Sequence, residues 1–548
     1  MSKIILYGNE ASRRITSGSE KLAKAVGVTM GPKGKCVIIG KFVGAPVITK
    51  DGVSVAREVV LDDPVEDLVC QLVKEAAGRT ADVAGDGTTT ATVLSDEILR
   101  RGYALLSDGY SPVFFRNGVR WAVNNICKNL DSLSRKIENN DDLKNIATIS
   151  ANNDPEMGGK IAEAFEFAGL SGTVGAEANP SGETSVRKVS GVNLRTGYIT
   201  PEFIVDKKSK DVVLQNCRIL LVNRDMTHFS DCIKLFEEAH NENHPVLVIA
   251  KDVKQEALAT LVANTKMGKL KSVAVKIPTK FYDGDWIEDL SIMLNTRIVD
   301  ESKGIYLSKT GISDLGFAEK VIVNRYETKI FKASCNEEAK RERIEAYKRD
   351  LESLIGDKTK LDIKDRLSFL TGSAAIISVG YSTELELREK GDRLDDALSA
   401  TKAAIEQGLV PGGGVALLRA CKMLDLMTAP KECLDAVNVI IESCKRPAKQ
   451  IISNAGLDAD KIVGNVLQNQ EDKYYGFNSL TEKYGNMMEM GVVDPLKVTK
   501  TALKNASSIA ELLINTEAIL AEKPDDPSEW QPPAGWRPPQ KGNLNHKY

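Results

Sequence analysis

AGDGTTTATVL, from Ala84 to Leu94, is the stretch from which the rest of this chain can be read. Two glycines, Gly85 and Gly87, flank the carboxylate Asp86, and Thr88, Thr89 and Thr90 then run into a helix-compatible segment. Glycine admits the sharp turns and close backbone approach that an L side chain resists. The threonines offer hydroxyls at an expected helix N-terminus, where unpaired N–H groups and the macrodipole favour an anion. Asp86 would repel a bare phosphate but suits a divalent metal that bridges to one. The stretch reads as a nucleotide loop, with an ordinary Gly/Thr turn as the alternative. Neither GxxxxGK[ST] nor GxGxxG occurs, so the P-loop and the dinucleotide fingerprint are both excluded.

Working outward, loops of similar chemistry lie on both sides. TMGPKGK (29–35) and TKDG (49–52) come early; PGGGVAL (411–417), YGFN (475–478) and MGVVDP (490–495) come late. The residues up to about 132 show helical apolar spacing over 9–29, 64–83, 88–108 and 112–134, interrupted by a hairpin-like VIIGKFVGAPVITKDG. From about 190 to 373, runs such as CRILLVN, PVLVIA, KSVAVKI and EKVIVN alternate with helical patterns at 230–240 and 254–265, which predicts an α/β layer. Long helical stretches return at 397–407, 412–427, 432–455 and 496–520. If the early and late loops meet at one ligand, the two ends form one discontinuous domain with the middle inserted.

Composition sets the outer bounds. A chain of 548 residues predicts two to four domains. The charged fraction of 27% and net charge of −3 describe a soluble, nearly neutral protein with no basic field for nucleic acid. No apolar run has membrane-spanning length, and MSKIILYGNEASRR lacks the apolar core of a signal peptide. Nine scattered cysteines without a CxxC predict reduced thiols in a cytosolic compartment, most of them small buried apolar residues. His240 and His244 have an i,i+4 spacing, but the string is HNENH and Pro245 follows, so a loop is expected there rather than a zinc site.

TMGPKGK, APVITKDGVSVARE, AGDGTTTATVL, TISANND, EALATLVANT, DDALSATKAAIEQGLVPGGGVAL and YGNMMEMGVVDP, in this order and spacing, resemble a group I chaperonin of the GroEL type. The likeness runs from about residue 3 to about residue 520. It implies a multi-domain fold: a mainly α, discontinuous equatorial ATPase domain (1–132 and 407–523), a small α/β intermediate hinge domain (133–189 and 374–406) and an α/β apical substrate-binding domain (190–373). Residues 524–548, which contain Pro and Trp, are expected to form a further, flexible tail. The implied activity is that of an ATP-dependent, ring-forming chaperone that folds client proteins in a cavity.

The same resemblance places an ATP site. Thr29, Met30, Gly31 and Pro32 match the loop against the phosphates, with Lys50, Asp51 and Gly52 beside the γ-phosphate. Asp86 matches the Mg2+ ligand, and Gly87, Thr88, Thr89 and Thr90 match the β/γ-phosphate cradle. Gly412, Gly413 and Gly414 match the loop beside the sugar; Asn478, Ser479 and Leu480 match the adenine side; Asp494 matches the ribose contact, and Val492 is a further ATP-binding position. Asp396 matches the intermediate-domain aspartate that positions or deprotonates the attacking water, and with Asp51 completes the catalytic set. Without the resemblance, Asp395 and Asp396 read as helix N-terminal carboxylates. ATP and Mg2+ are the implied cofactors, with K+ a further candidate cation.

For client binding the resemblance points to Tyr198, Phe203, Ile233, Phe236, Leu258 and Val262, whereas periodicity alone assigns such residues to the core. The implied partners are unfolded proteins, a homo-oligomeric and heptameric ring, single or double, and a co-chaperonin lid; no nucleic acid and no membrane. A cytoplasmic location follows, bacterial or, for a viral chaperonin, in the host. The chain also departs from the family. Glu202 stands where an aromatic is common, Ala263 replaces a larger aliphatic, and IPTKFYDGDW lacks the string PGFGDRR. Lys449 and Asp458 keep the charge signs of one inter-ring contact, while Ala104 stands where another commonly has lysine. The tail carries a WQPP/WRPP near-repeat in place of Gly/Met repeats. A nucleotide-regulated holdase or assembly scaffold is the alternative function, and a small-molecule kinase lacks the extra acid/base groups it would need.

Overall fold

The computed structural model describes residues 3–40, 46–169, 172–180, 182–189, 191–205, 211–282, 284–353, 357–372 and 374–523. The tail, 524–548, lies outside them. The chain divides into two compact units, one formed by 1–137 with 399–548, the other by 138–398.

In the first unit, local chemistry sets the helix ends. Asp63 accepts from Val65 N at 2.9 Å and Glu66 N at 3.0 Å, and Pro64 opens the helix Pro64–Ala84. Gly85, at φ +79°, closes that helix by donating its N–H to Ala81 O. Gly87, at φ +95°, then caps the helix Thr88–Ser107 with no side-chain hydrogen bond. One residue, Asp86, is left between the two caps. These helices pack with Gly8–Gly27, Pro112–Leu133 and Leu496–Ile514 around a core that includes Leu22, Val69, Leu94, Ile98, Phe115, Ile126 and Leu503.

Two expected helices end earlier than their patterns suggest. The run 432–455 divides into Leu434–Ser443 and Arg446–Asn454, because Pro447 sits in the first turn of the second helix and cannot donate into the first. The run 496–520 stops as helix at Ile514; Ala518–Glu522 is a strand, with Ile519 and Ala521 buried and Leu520 exposed in strand alternation. That strand pairs antiparallel with Lys3–Tyr7, so both ends of the described chain meet in one ribbon. A second ribbon pairs Val37–Ile39 with Val47–Thr49.

The second unit contains a seven-stranded sheet and a three-stranded sheet. In the larger, Val212–Met226, Val246–Val253 and Ser272–Lys276 are parallel neighbours, joined by crossovers through the helices Ile233–Asn241 and Gln255–Lys266. Gly316–Val323, Thr328–Ala333 and Gly191–Leu194 extend the sheet antiparallel. The smaller sheet centres Ala374–Gly380 between Thr173–Asn179 and Ser185–Val189. Asn140–Ser150 packs on Pro155–Ala168, and Glu384–Gln407 runs across the division between units.

Candidate functional site

Within the first unit the early and late loops come together. Asp51 caps Gly52–Glu58, its carboxylate accepting from Val53 N at 3.0 Å and Ser54 N at 2.8 Å. A Cβ on Gly52 would lie 2.1 Å from Thr89 Oγ1 and 3.2 Å from Thr29 Oγ1, so three loops converge where only glycine fits. Lys50 Nζ donates to Pro32 O at 3.2 Å, tying TKDG to the first loop. The helix Thr88–Ser107 starts here with its first N–H groups uncapped.

Carboxylates face this uncapped terminus. Asp86 is half-exposed by surface, yet its removal from bulk water raises its pKa; the Gly87 N–H opposes that shift and the charge of Asp51 adds to it. Asp494 is pushed up to about 7 by burial first and by the charge of Asp86 second. The donor set fits a magnesium-bound phosphate: carboxylates that repel one another next to orphan N–H donors are balanced by a cation and an anion together. Among the described residues no group of three His, Cys, Asp or Glu is placed to hold a metal.

The late loops join through a short ribbon, Leu409–Pro411 against Val493–Pro495, which sets Val410 opposite Asp494. Gly412 N donates to Val492 O at 2.9 Å. The glycines here answer to packing inside the protein. A Cβ on Gly412 would lie 3.0 Å from Val493 N, and one on Gly414 would lie 2.6 Å from Ala448 N. Asn478 turns its Oδ1 to Leu480 N at 2.9 Å and Thr481 N at 3.3 Å; Ser479 is buried and Leu480 exposed.

Two sequence expectations need correcting at the level of side chains, those for the triple threonine and for the client surface. Thr88 is buried and directs its hydroxyl to Ala77 O, so the triple-threonine run offers two hydroxyls, those of Thr89 and Thr90, rather than three. The positive φ at Gly87 turns Thr88 back onto the preceding helix. Thr29 likewise spends its hydroxyl on Val26 O at 2.8 Å. In the second unit, Phe203, Phe236 and Val262 lie in the sheet core, with Phe236 stacked on Phe229 at 5.1 Å, and do not form an exposed client surface. The two helices turn their larger apolar groups to the sheet and carry Lys234, Glu237, Glu238, Glu256 and Lys266 outside. Tyr198 and Leu258 are half-buried against the core, and Ile233 is 43% exposed.

Asp396 belongs to the second unit, half-buried on Glu384–Gln407, two residues before that unit ends at Leu398. Sequence reasoning missed several groups that hold the site's loops. Buried Arg419 donates to Tyr475 O at 2.7 and 3.1 Å and to Asn469 O at 2.7 Å, anchoring the hairpin that bears Asn478. Lys33 pairs with Glu482 at 2.5 Å, joining the first loop to the turn that follows Asn478. Asn454 reaches the first loop from Arg446–Asn454. The signal for Arg419 was an arginine among apolar helix residues, LLRAC; the others left none.

A model of the TCP-1/cpn60 chaperonin family matches residues 22–524. Among the solved structures that share the fold are two of one phage protein. Both are of the chaperonin gp146 from the bacteriophage EL 2 (Pseudomonas aeruginosa) in the presence of ATP-BeFx, in crystal forms II and I. Their TM-scores are 0.69 and 0.62; each is 22% identical to this chain, covering 95% of it and 99% of the phage protein.

Proposed function

The chain belongs to the TCP-1/cpn60 chaperonin family and is an ATP-dependent folding chaperone; from that premise we propose that it hydrolyses ATP in the first unit and acts on clients through the second. The convergence of Thr29, Gly52 and Thr89 beside Asp51 and Asp86 carries this reading. In family terms the first unit corresponds to the equatorial domain. The intermediate domain (133–189 and 374–406) and the apical domain (190–373) complete the proposed division.

The loop Thr29–Pro32 and the N–H groups at Gly87–Thr90 bind phosphate oxygens, with Thr89 and Thr90 adding hydroxyls. Asp86 holds magnesium, which when bound neutralises phosphate charge. Asp51 stays fixed by its two backbone donors and orients groups at the γ-phosphate side. Gly412–Gly414 and Asp494 contact the ribose, and Asn478–Leu480 the base. Asp396 accepts the proton of the attacking water; its place on a helix shared by both units ties hydrolysis to domain movement.

Family membership brings ring assembly and client proteins with it. A heptameric ring is the stoichiometry we propose, and the ribbons Lys3–Tyr7/Ala518–Glu522 and Val37–Ile39/Val47–Thr49 support subunit contact. Each exposes an apolar cross-strand pair, Ile5 with Leu520 and Ile38 with Ile48. Refolding of a denatured client with ATP, and with a non-hydrolysable analogue, tests the function. The Asp396→Ala variant should bind ATP normally, turn it over about 10²-fold more slowly and lose the ATP-dependent gain in folded client. Equal client recovery with ATP and with the analogue would instead make the protein a holdase.

A further inference from the structure

We propose that Asn454 is a positioning residue for nucleotide binding, setting the height of the loop Thr29–Pro32; this rests on the ATP site proposed above. Asn454 ends the helix Arg446–Asn454 and donates Nδ2 to Gly27 O at 2.8 Å and Met30 O at 2.9 Å. Gln450, one turn earlier, donates Nε2 to Asn454 Oδ1 at 2.8 Å, which fixes the donor end of the amide toward the loop. Ile451, on the same helix, fills the space beside Gly31: a Cβ there would lie 2.8 Å from Ile451 Cγ2. One helix thus gives the loop both an apolar stop and a polar clamp.

The loop is held from two directions. Gly31 sits at φ +83° and Pro32 has no N–H; backbone bonds from Gly34 N to Gly31 O at 3.1 Å and from Lys35 N to Val28 O at 2.7 Å close the turn itself, and Asn454 ties it to a second helix. The clamp grips the carbonyls of Gly27 and Met30, directly before that turn. Asn454 touches no nucleotide in this scheme; it acts through the backbone that does.

Steady-state ATP hydrolysis and ADP binding by the full chain provide the test. Asn454→Ala should raise the KM for ATP and the Kd for ADP about tenfold with kcat within about twofold, since one or two hydrogen bonds are at stake. Asn454→Asp keeps the shape but removes the donors and sets a charge against two carbonyls, so its effect should exceed that of alanine. Gln450→Ala keeps the donors and frees the amide, and should raise both constants about threefold. A merely structural role would lower the melting temperature of the nucleotide-free protein without this ranking or this split between KM and kcat. A folded Asn454→Ala variant with unchanged KM and Kd overturns the proposal; if that variant fails to fold, an unchanged Gln450→Ala does so. Failure of the parental chain itself to bind ADP would remove the ATP site as well, and is read separately.

Discussion

Asp96 shows how a single buried group can set a pH dependence. It lies on Thr88–Ser107 at 8% exposure, and its Oδ1 has no hydrogen-bond partner. Ser19 Oγ, on the adjoining helix Gly8–Gly27, is also buried and lies beside this carboxyl. Burial first, then the charges of Glu97 and Glu20, push the Asp96 carboxyl up to about 6, against the Ser19 hydroxyl and the Arg446 charge, which lower it. A folded pKa above the unfolded value of 3.8 means that the protonated form favours folding. The contribution is therefore full below pH 3.8 and is lost as pH rises through 6, leaving a cost of about 2–3 kcal/mol at neutral pH. Asp96→Asn should raise the melting temperature at pH 7.5 by several degrees and by much less at pH 4.5. A shift of equal size at both pH values would show that ionisation is not the cause. Nothing in the sequence around Asp96 announced this, because burial of a helical aspartate depends on which helix covers it.

At the scale of elements, the helix-to-helix corner at Gly85–Asp86–Gly87 was legible, since both glycines act through φ, a local property. The helices Ile233–Asn241 and Gln255–Lys266 were legible as helices but not in their exposure. The sheet takes Phe236, Leu261 and Val262, and the outer faces are left largely charged. Glu202 and Lys266 form an exposed pair at 2.6 Å between the turn Pro201–Phe203 and the end of Gln255–Lys266. Such a pair contributes under about 1 kcal/mol, so a client's own charges can displace it. Replacing Glu202 by Phe should strengthen capture of an unfolded apolar client a few-fold and abolish its dependence on salt. Competition assays at low and high ionic strength would read this; identical salt profiles for parent and variant would count against a client role for the pair.

At the scale of the whole molecule, the pairing of Lys3–Tyr7 with Ala518–Glu522 closes the first unit across the full described length. Isolated two-stranded ribbons are marginal in water. Ile38 and Ile48, paired at 71% and 60% exposure, are left uncovered by the described residues. Ile38→Asp should shift the protein from ring to smaller species in mass measurement while its helical signal is retained. An unchanged ring mass would place the subunit contact elsewhere. Lys449, whose charge suggested a contact between rings, pairs with Asp460 of its own chain at 2.5 Å, and Asp458 caps the helix Ala459–Gln468.

By itself the sequence determined the order of motifs, the helical ends around an α/β centre, and the family. These follow from local spacing and turn chemistry, which any window of residues carries. Only the tertiary structure decided which threonines keep a free hydroxyl, that the late glycines yield to Val493 and Ala448, and that Asn454 and Arg419 support the loop Thr29–Pro32 and the hairpin of Asn478 from elements fifty or more residues away. Each depends on what packs across a non-local interface, and no periodicity along the chain encodes that neighbour. The loop Ala84–Leu94 shows the division: its two glycine corners were written in its letters, and the burial of Thr88 was written in the helix beneath it.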